Sequence, residues 1–206
     1  MKRRDFVKSA IGVAAVTAGP GLTNTLTAVK NIQMAQVPVL LLGGATATIL
    51  KGRGSLQDID QMALLRPLTK HQALVKRVKD IANKINKAII IAQSDVPGPV
   101  FVELPLDLLY PQDLVRELYG LNTDDQKRPW WMEKYLQRNL NRIFNGFETT
   151  SNPVSEITCP MPVPSAVRKA SKMIYNSKRP VLLIGSQTML NVTQVDSLAQ
   201  KLASID

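Results

Sequence analysis

Residues that could do chemistry are sparse in this chain of 206 residues. It holds one histidine, His71, and one cysteine, Cys159. A histidine-cysteine metal cluster is therefore excluded, and any Ser-His-Asp arrangement would have to use His71. A single cysteine allows no intrachain disulfide, which fits a reducing compartment. The richest stretch is Val16-Thr-Ala-Gly-Pro-Gly-Leu-Thr-Asn24. Its Gly19-Pro20-Gly21 core forces a stiff turn with two positions open to close backbone approach. A connecting turn without function has the same composition. An anion cradle is the functional alternative, because a helix N-terminus favours negative charge. Neither the G-x-G-x-x-G spacing nor the lysine of a P-loop is present, however.

The flanking elements must position this turn. Residues 11–16 are short, β-branched and uncharged, which predicts a buried strand. Residues 25–36 are amphipathic, start at Thr and Asn and contain no proline, which predicts a capped helix. Strand, tight turn and helix is how an open α/β sheet presents a ligand site at the carboxyl ends of its strands. Residues 37–44 predict a second strand buried on both faces. Residues 45–55 predict a loop, residues 56–61 a short helix, and residues 66–71 a turn into a short strand. Val78, Ile81, Ala82, Ile85, Ala88, Ile89 and Ala92 predict an amphipathic helix over 76–93 with Lys79, Lys84 and Lys87 outward. Residues 100–105 predict the next strand, closed by Leu106-Asp107.

Net charge is +10. Nucleic acid is the first partner such a value suggests. The basic residues come as pairs, such as Lys76-Arg77 and Lys178-Arg179, with few aromatics among them. That pattern predicts a solvated surface, or an anionic small molecule, and no nucleic acid. Residues 112–163 are polar and Ser/Thr/Pro-rich around an aromatic, basic stretch at 130–147, which predicts an interdomain linker with one short helix. From residue 164 the α/β rhythm restarts, with a helix to about 176, a strand over 179–185 and a helix from 192. Asn191-Val-Thr193 is a glycosylation sequon. No stretch has the length needed to span a bilayer as a helix.

Thr17-Ala-Gly-Pro-Gly-Leu-Thr-Asn24, Ala28-Val-Lys-Asn31, Met34-Ala-Gln36 and Pro38-Val-Leu-Leu-Leu-Gly-Gly44 together resemble the thiamine-diphosphate enzymes of the acetolactate synthase family. Within it the similarity is to the animal acetolactate synthase-like proteins, also described as 2-hydroxyacyl-CoA lyases. Pro97-Gly-Pro-Val100 before a Val-x-Leu-Pro-x-Asp strand is a further local match. The resemblance is strong over 12–111 and weaker over 164–206.

The resemblance implies an α/β fold: a parallel-sheet pyrimidine-binding domain, amino-terminally truncated, over 1–111, a linker over 112–163 and the start of a central α/β domain over 164–206. It implies that the loop touches the aminopyrimidine ring of thiamine diphosphate rather than its diphosphate. Gly19, Pro20, Gly21, Asn24 and Gln57 are then the cofactor-binding residues. Pro20 is an apolar contact, Asn24 a hydrogen-bonding group, and Gln57 the polar group reaching the reacting centre; a surface glutamine is the alternative for Gln57. Leu56 stands where the family often has Phe. Glu103 carries no catalytic role over from the family, and His71 is expected to be structural. No metal ligand is expected in the chain. Magnesium and the diphosphate are implied to be held by a carboxyl-terminal domain, the activating glutamate to lie ahead of Met1, and FAD to bind in some members.

Two functions follow. One is a fragment of a thiamine-diphosphate lyase or transferase that makes or breaks carbon-carbon bonds beside a carbonyl of a 2-hydroxyacyl-CoA or 2-oxoacid, working as a homodimer. The other is a non-catalytic module that dimerises with a full-length partner through the 25–36 helix. The resemblance implies an intracellular, endoplasmic-reticulum-associated location. Arg3-Arg4-x-Phe6-x-Lys8 also fits a twin-arginine export signal.

Overall fold

A computed structural model describes residues 11–122, 128–146, 162–181, 183 and 200–201. The twin-arginine pattern, Cys159, the sequon at Asn191 and most of the strand and helix expected after residue 178 lie outside these residues. The described residues fall into two compact units, one up to residue 146 and the other from residue 162.

In the first unit the chain runs β1 (Gly12–Val16), α1 (Pro20–Thr23), α2 (Leu26–Ala35), β2 (Val39–Ala45), α3 (Gln61–Leu65), β3 (His71–Leu74), α4 (Ile81–Gln93), β4 (Pro99–Pro105), α5 (Gln112–Leu118) and α6 (Trp130–Phe144). The four strands pair in the order β1-β2-β4-β3, all parallel, as the sequence predicts for an α/β domain. Gly12 sits opposite Val39, Val39 opposite Pro99, and His71 opposite Val100. Every residue of β4 is buried, because it is a central strand between two helical layers.

Side chains along β2 and β4 alternate between those layers. Leu40, Val100, Val102 and Leu104 pack with Ala88 and Ala92 of α4, Val115 of α5, and Leu140 and Ile143 of α6. Leu41 and Phe101 pack on the other face with Leu22, Val29 and Leu65 of α1, α2 and α3. The aromatic stretch therefore belongs to this core through Leu140 and Ile143, while Trp130, Trp131 and Tyr135 are exposed.

Two expectations need correction. The strand at the start forms, but it is not buried: Gly12 to Ala15 are exposed. Among the described strands it is an edge, with β2 as its one neighbour. The predicted cap of α2 also differs. Thr25 Oγ1 donates to the Leu22 carbonyl at 2.7 Å instead of accepting from the helix, so α1 passes into α2 with one short break. At the far end Gln36 takes the left-handed conformation (φ 54°) more usual for glycine. In the second unit α7 (Pro164–Tyr175) is capped by Asn176, as the periodicity predicts. No described helix is long and apolar enough to cross a membrane.

Candidate functional site

The turn after β1 has the geometry that its glycines allow. Gly19 adopts φ 63°, a left-handed conformation that side chains disfavour. A Cβ placed there would lie 2.9 Å from Cβ of Gln57. Pro20 is the first residue of α1, where its missing N–H is no loss. Gly21 faces back on the strand end: a Cβ there would lie 2.2 Å from Thr17 Oγ1. Pro20 and Asn24 are exposed on α1 and its cap, with Asn24 N–H donating to the Pro20 carbonyl at 3.1 Å. Of the five residues singled out from the sequence, the fold thus brings Gly19 against Gln57, keeps Pro20 and Gly21 beside them, and sets Asn24 at the end of the short helix.

Gln57 does not sit on a helix. It has φ 65° in an irregular loop, and the expected helix over 56–61 is absent. The helix begins only at Gln61, because Asp60 is the residue that caps it: its Oδ1 accepts from Ala63 N–H at 2.9 Å. The loop before it is tied to the rest of the unit at several points. Thr48 N–H and Oγ1 donate to Asp107 Oδ2 at 2.9 and 2.6 Å, and Gly52 N–H donates to Asp58.

Loop and turn border an open cavity of about 610 Å³ at the carboxyl ends of β1, β2 and β4. Ala18, Leu42, Leu50, Leu104 and Leu109 supply apolar walls, and Thr17, Thr46, Ser55 and Gln57 the polar side chains. No ionised side chain lines it. An apolar cavity with few polar groups suits a neutral ring, and it offers a diphosphate no counter-charge. The anion-cradle alternative fails here on a second ground: α1 has only four residues, too few to build a dipole.

Two polar clusters beneath the cavity are not apparent in the sequence. Glu103, fully buried in β4, pairs with Lys51 of the loop and accepts from Gln61 Nε2 at 3.3 Å. The signal available was a carboxylate inside an apolar strand. Asp107 accepts from Thr48 and from Tyr119 Oη at 2.7 Å, and Asn139 Nδ2 donates to both Thr48 Oγ1 and Tyr119 Oη. Burial, then the bond to Asp107, holds the Tyr119 phenol well above its usual range. His71 lies at the start of β3; burial, then Lys87 and Lys84, lowers its pKa.

Residues 4–64 match the family described as thiamine pyrophosphate enzyme, N-terminal TPP binding domain. The chain is 46% identical to 2-hydroxyacyl-CoA lyase 2 of Danio rerio over 197 residues, 95% of this chain and 32% of that protein. Its identity to 2-hydroxyacyl-CoA lyase 2 of Caenorhabditis elegans is 49% over 188 residues, 89% of this chain and 29% of that protein. Acetolactate synthase isozyme 3 large subunit of Escherichia coli (strain K12) is 31% identical over 176 residues, 85% of this chain and 26% of that protein. The chain therefore spans about a third or less of the length of these relatives.

Proposed function

We propose, from the match of residues 4–64 to the thiamine pyrophosphate enzyme N-terminal domain and the 46% identity to 2-hydroxyacyl-CoA lyase 2 of Danio rerio, that the chain contributes the pyrimidine side of a thiamine-diphosphate site in a carbon-carbon lyase. The observation that carries this reading is the contact of Gly19 with Gln57 beside an uncharged cavity at the strand ends. Thiamine diphosphate, when bound, supplies an electron sink for a carbanion formed beside a carbonyl. The apolar walls would receive the aminopyrimidine ring and exclude water from it. Gly19, buried and lacking a side chain, lets Gln57 pack directly on the turn. Of the five residues Gln57 alone lines the cavity; Pro20 and Asn24 are exposed on the adjoining turn and would add an apolar and a polar contact there. The Gln57 amide can both donate and accept, so it would orient a polar group at the reacting centre.

The substrate class is a 2-hydroxyacyl-CoA thioester, on the strength of the relatives at 44–49% identity; a 2-oxoacid is the alternative. In this reading the diphosphate, its magnesium ion and any FAD are held outside the cavity described above. Among the described residues no cluster of His, Cys, Asp and Glu could hold a metal ion.

A second reading is a non-catalytic module that pairs with a longer family member. The exposure of Val13 on β1 and Met34 on α2, 61% and 72%, favours a partner on this side of the unit. Calorimetric titration of the chain with thiamine diphosphate and magnesium separates the two. The enzyme reading expects saturable binding, weakened tenfold or more in Gln57→Gly, which keeps the left-handed backbone without strain. No binding by a folded chain would leave the pairing module.

A further inference from the structure

A second concavity lies on α6, away from the cavity walls. Tyr135, Arg138, Asn139 and Arg142 line a pocket of about 300 Å³. Arg138 and Arg142 are one helical turn apart, so both guanidinium groups serve one face. A third joins them from the loop: Arg53 donates to Tyr135 Oη at 3.2 Å and lies 5.7 Å from the ring centroid. Arg142 is fixed by a 2.7 Å bond to Asn139 Oδ1. None of the three arginines pairs with a carboxylate among the described residues, and Arg138 has no hydrogen-bond partner there.

Two unneutralised guanidinium groups line the hollow and a third, Arg53, lies against its Tyr135 wall; together they match the chemistry of phosphate, which arginine binds with paired, charge-assisted hydrogen bonds. The position matters as much as the charge. Arg53 belongs to the same loop as Leu50, Ser55, Leu56 and Gln57, which line the cavity. A ligand with an acyl end in the cavity and a phosphorylated tail would follow that loop from one hollow to the other. We propose that the Arg53, Arg138 and Arg142 pocket holds the phosphates of the coenzyme A carrier, a step that rests on the acyl-CoA reading above. Scattered solvated charge does not describe it, because two of the three arginines are held in place by Tyr135 and Asn139.

The test is calorimetric titration of the full chain with coenzyme A, and separately with inorganic pyrophosphate. Arg53→Gln/Arg138→Gln is the variant; both side chains are exposed, and circular dichroism checks its fold. Lys169→Gln, on α7, removes one charge from the other unit. Coenzyme A should bind saturably, at least tenfold more tightly than pyrophosphate. The double variant should lose at least tenfold and Lys169→Gln nothing. Equal binding by the double variant, equal loss in Lys169→Gln, pyrophosphate binding as tight as coenzyme A, or no binding by the folded wild type would each overturn the proposal. Thiamine-diphosphate binding that survives such a failure confines the damage to this pocket. Coenzyme A binding that survives loss of thiamine-diphosphate binding leaves the pocket standing and removes the pyrimidine-site reading.

Discussion

Gly19 and Gln57, remote in sequence, meet with both backbones in the left-handed region, at φ 63° and 65°. Each conformation alone costs a non-glycine residue about 1–2 kcal/mol. Only Gly19 avoids that cost. Gln57 bears it in a loop held by bonds on either side, the kind of strain that concentrates at functional sites.

Gly19→Ala should therefore fail in two ways at once. The new methyl meets Gln57 at 2.9 Å, and the backbone pays for its conformation. We expect a loss of about 1–3 kcal/mol in urea unfolding and a larger proportional loss of thiamine-diphosphate affinity, read by calorimetry. Unchanged stability would mean that the turn relaxes and does not fix Gln57.

Lys51→Met strips the buried Glu103 of its cation and leaves it the Gln61 amide. The lysine side chain is 38% exposed, so water moderates the effect, and we expect a loss of about 1–3 kcal/mol. Lys51→Met/Glu103→Gln should recover part of it. A double variant no more stable than the single one would show that the charge on Glu103 is not the source of the loss.

Tyr119→Phe removes a hydrogen bond to the Asp107 carboxylate and should cost about 1.5–3 kcal/mol. Burial and Asp107 both suppress ionisation of this phenol. The native-state tyrosinate absorbance near pH 10, about where a free phenol titrates, should therefore be the same in wild type and variant. A smaller absorbance step in the variant would place Tyr119 in contact with solvent.

His71 has a pKa lowered by burial and by Lys87 and Lys84. The unfolded chain then takes up a proton first, near pH 6.5, as about the free value. Stability from this residue is complete above that pH and declines as pH falls below it toward the native pKa. Urea unfolding at about pH 5.5 and 7.5 should show that decline in wild type and less of it in His71→Gln. Nuclear magnetic resonance titration of Lys84→Met should show the His71 pKa rising.

Legibility followed range. The Gly19-Pro20-Gly21 turn, β2 and β4, and the 81–93 helix were readable because each depends on local backbone preference and apolar periodicity. The exposure of β1 was not, since the composition of residues 11–16 is the same at an edge as at the centre and strand order decides burial. Residues 56–61 looked helical because the hydrophobic pattern continues into α3, yet Asp60 sets the start and Gln57 takes a conformation no helix contains. Resemblance to a family carries the position of Gln57 but not its left-handed backbone. The pairing of Glu103 with Lys51 joins a strand to a loop half a domain earlier, and nothing local announces it.

The bonds of Thr48 to Asp107, Lys51 to Glu103, Gly52 to Asp58 and Arg53 to Tyr135 also decide when disorder is lost. Fixing a loop backbone costs about 1–2 kcal/mol per residue. Here that loss falls at folding, so a ligand arriving at the cavity finds a wall already standing. Recognition at this site is thereby closer to a key entering a cut lock than to a hand closing, and its association rate should reflect diffusion and access more than rearrangement.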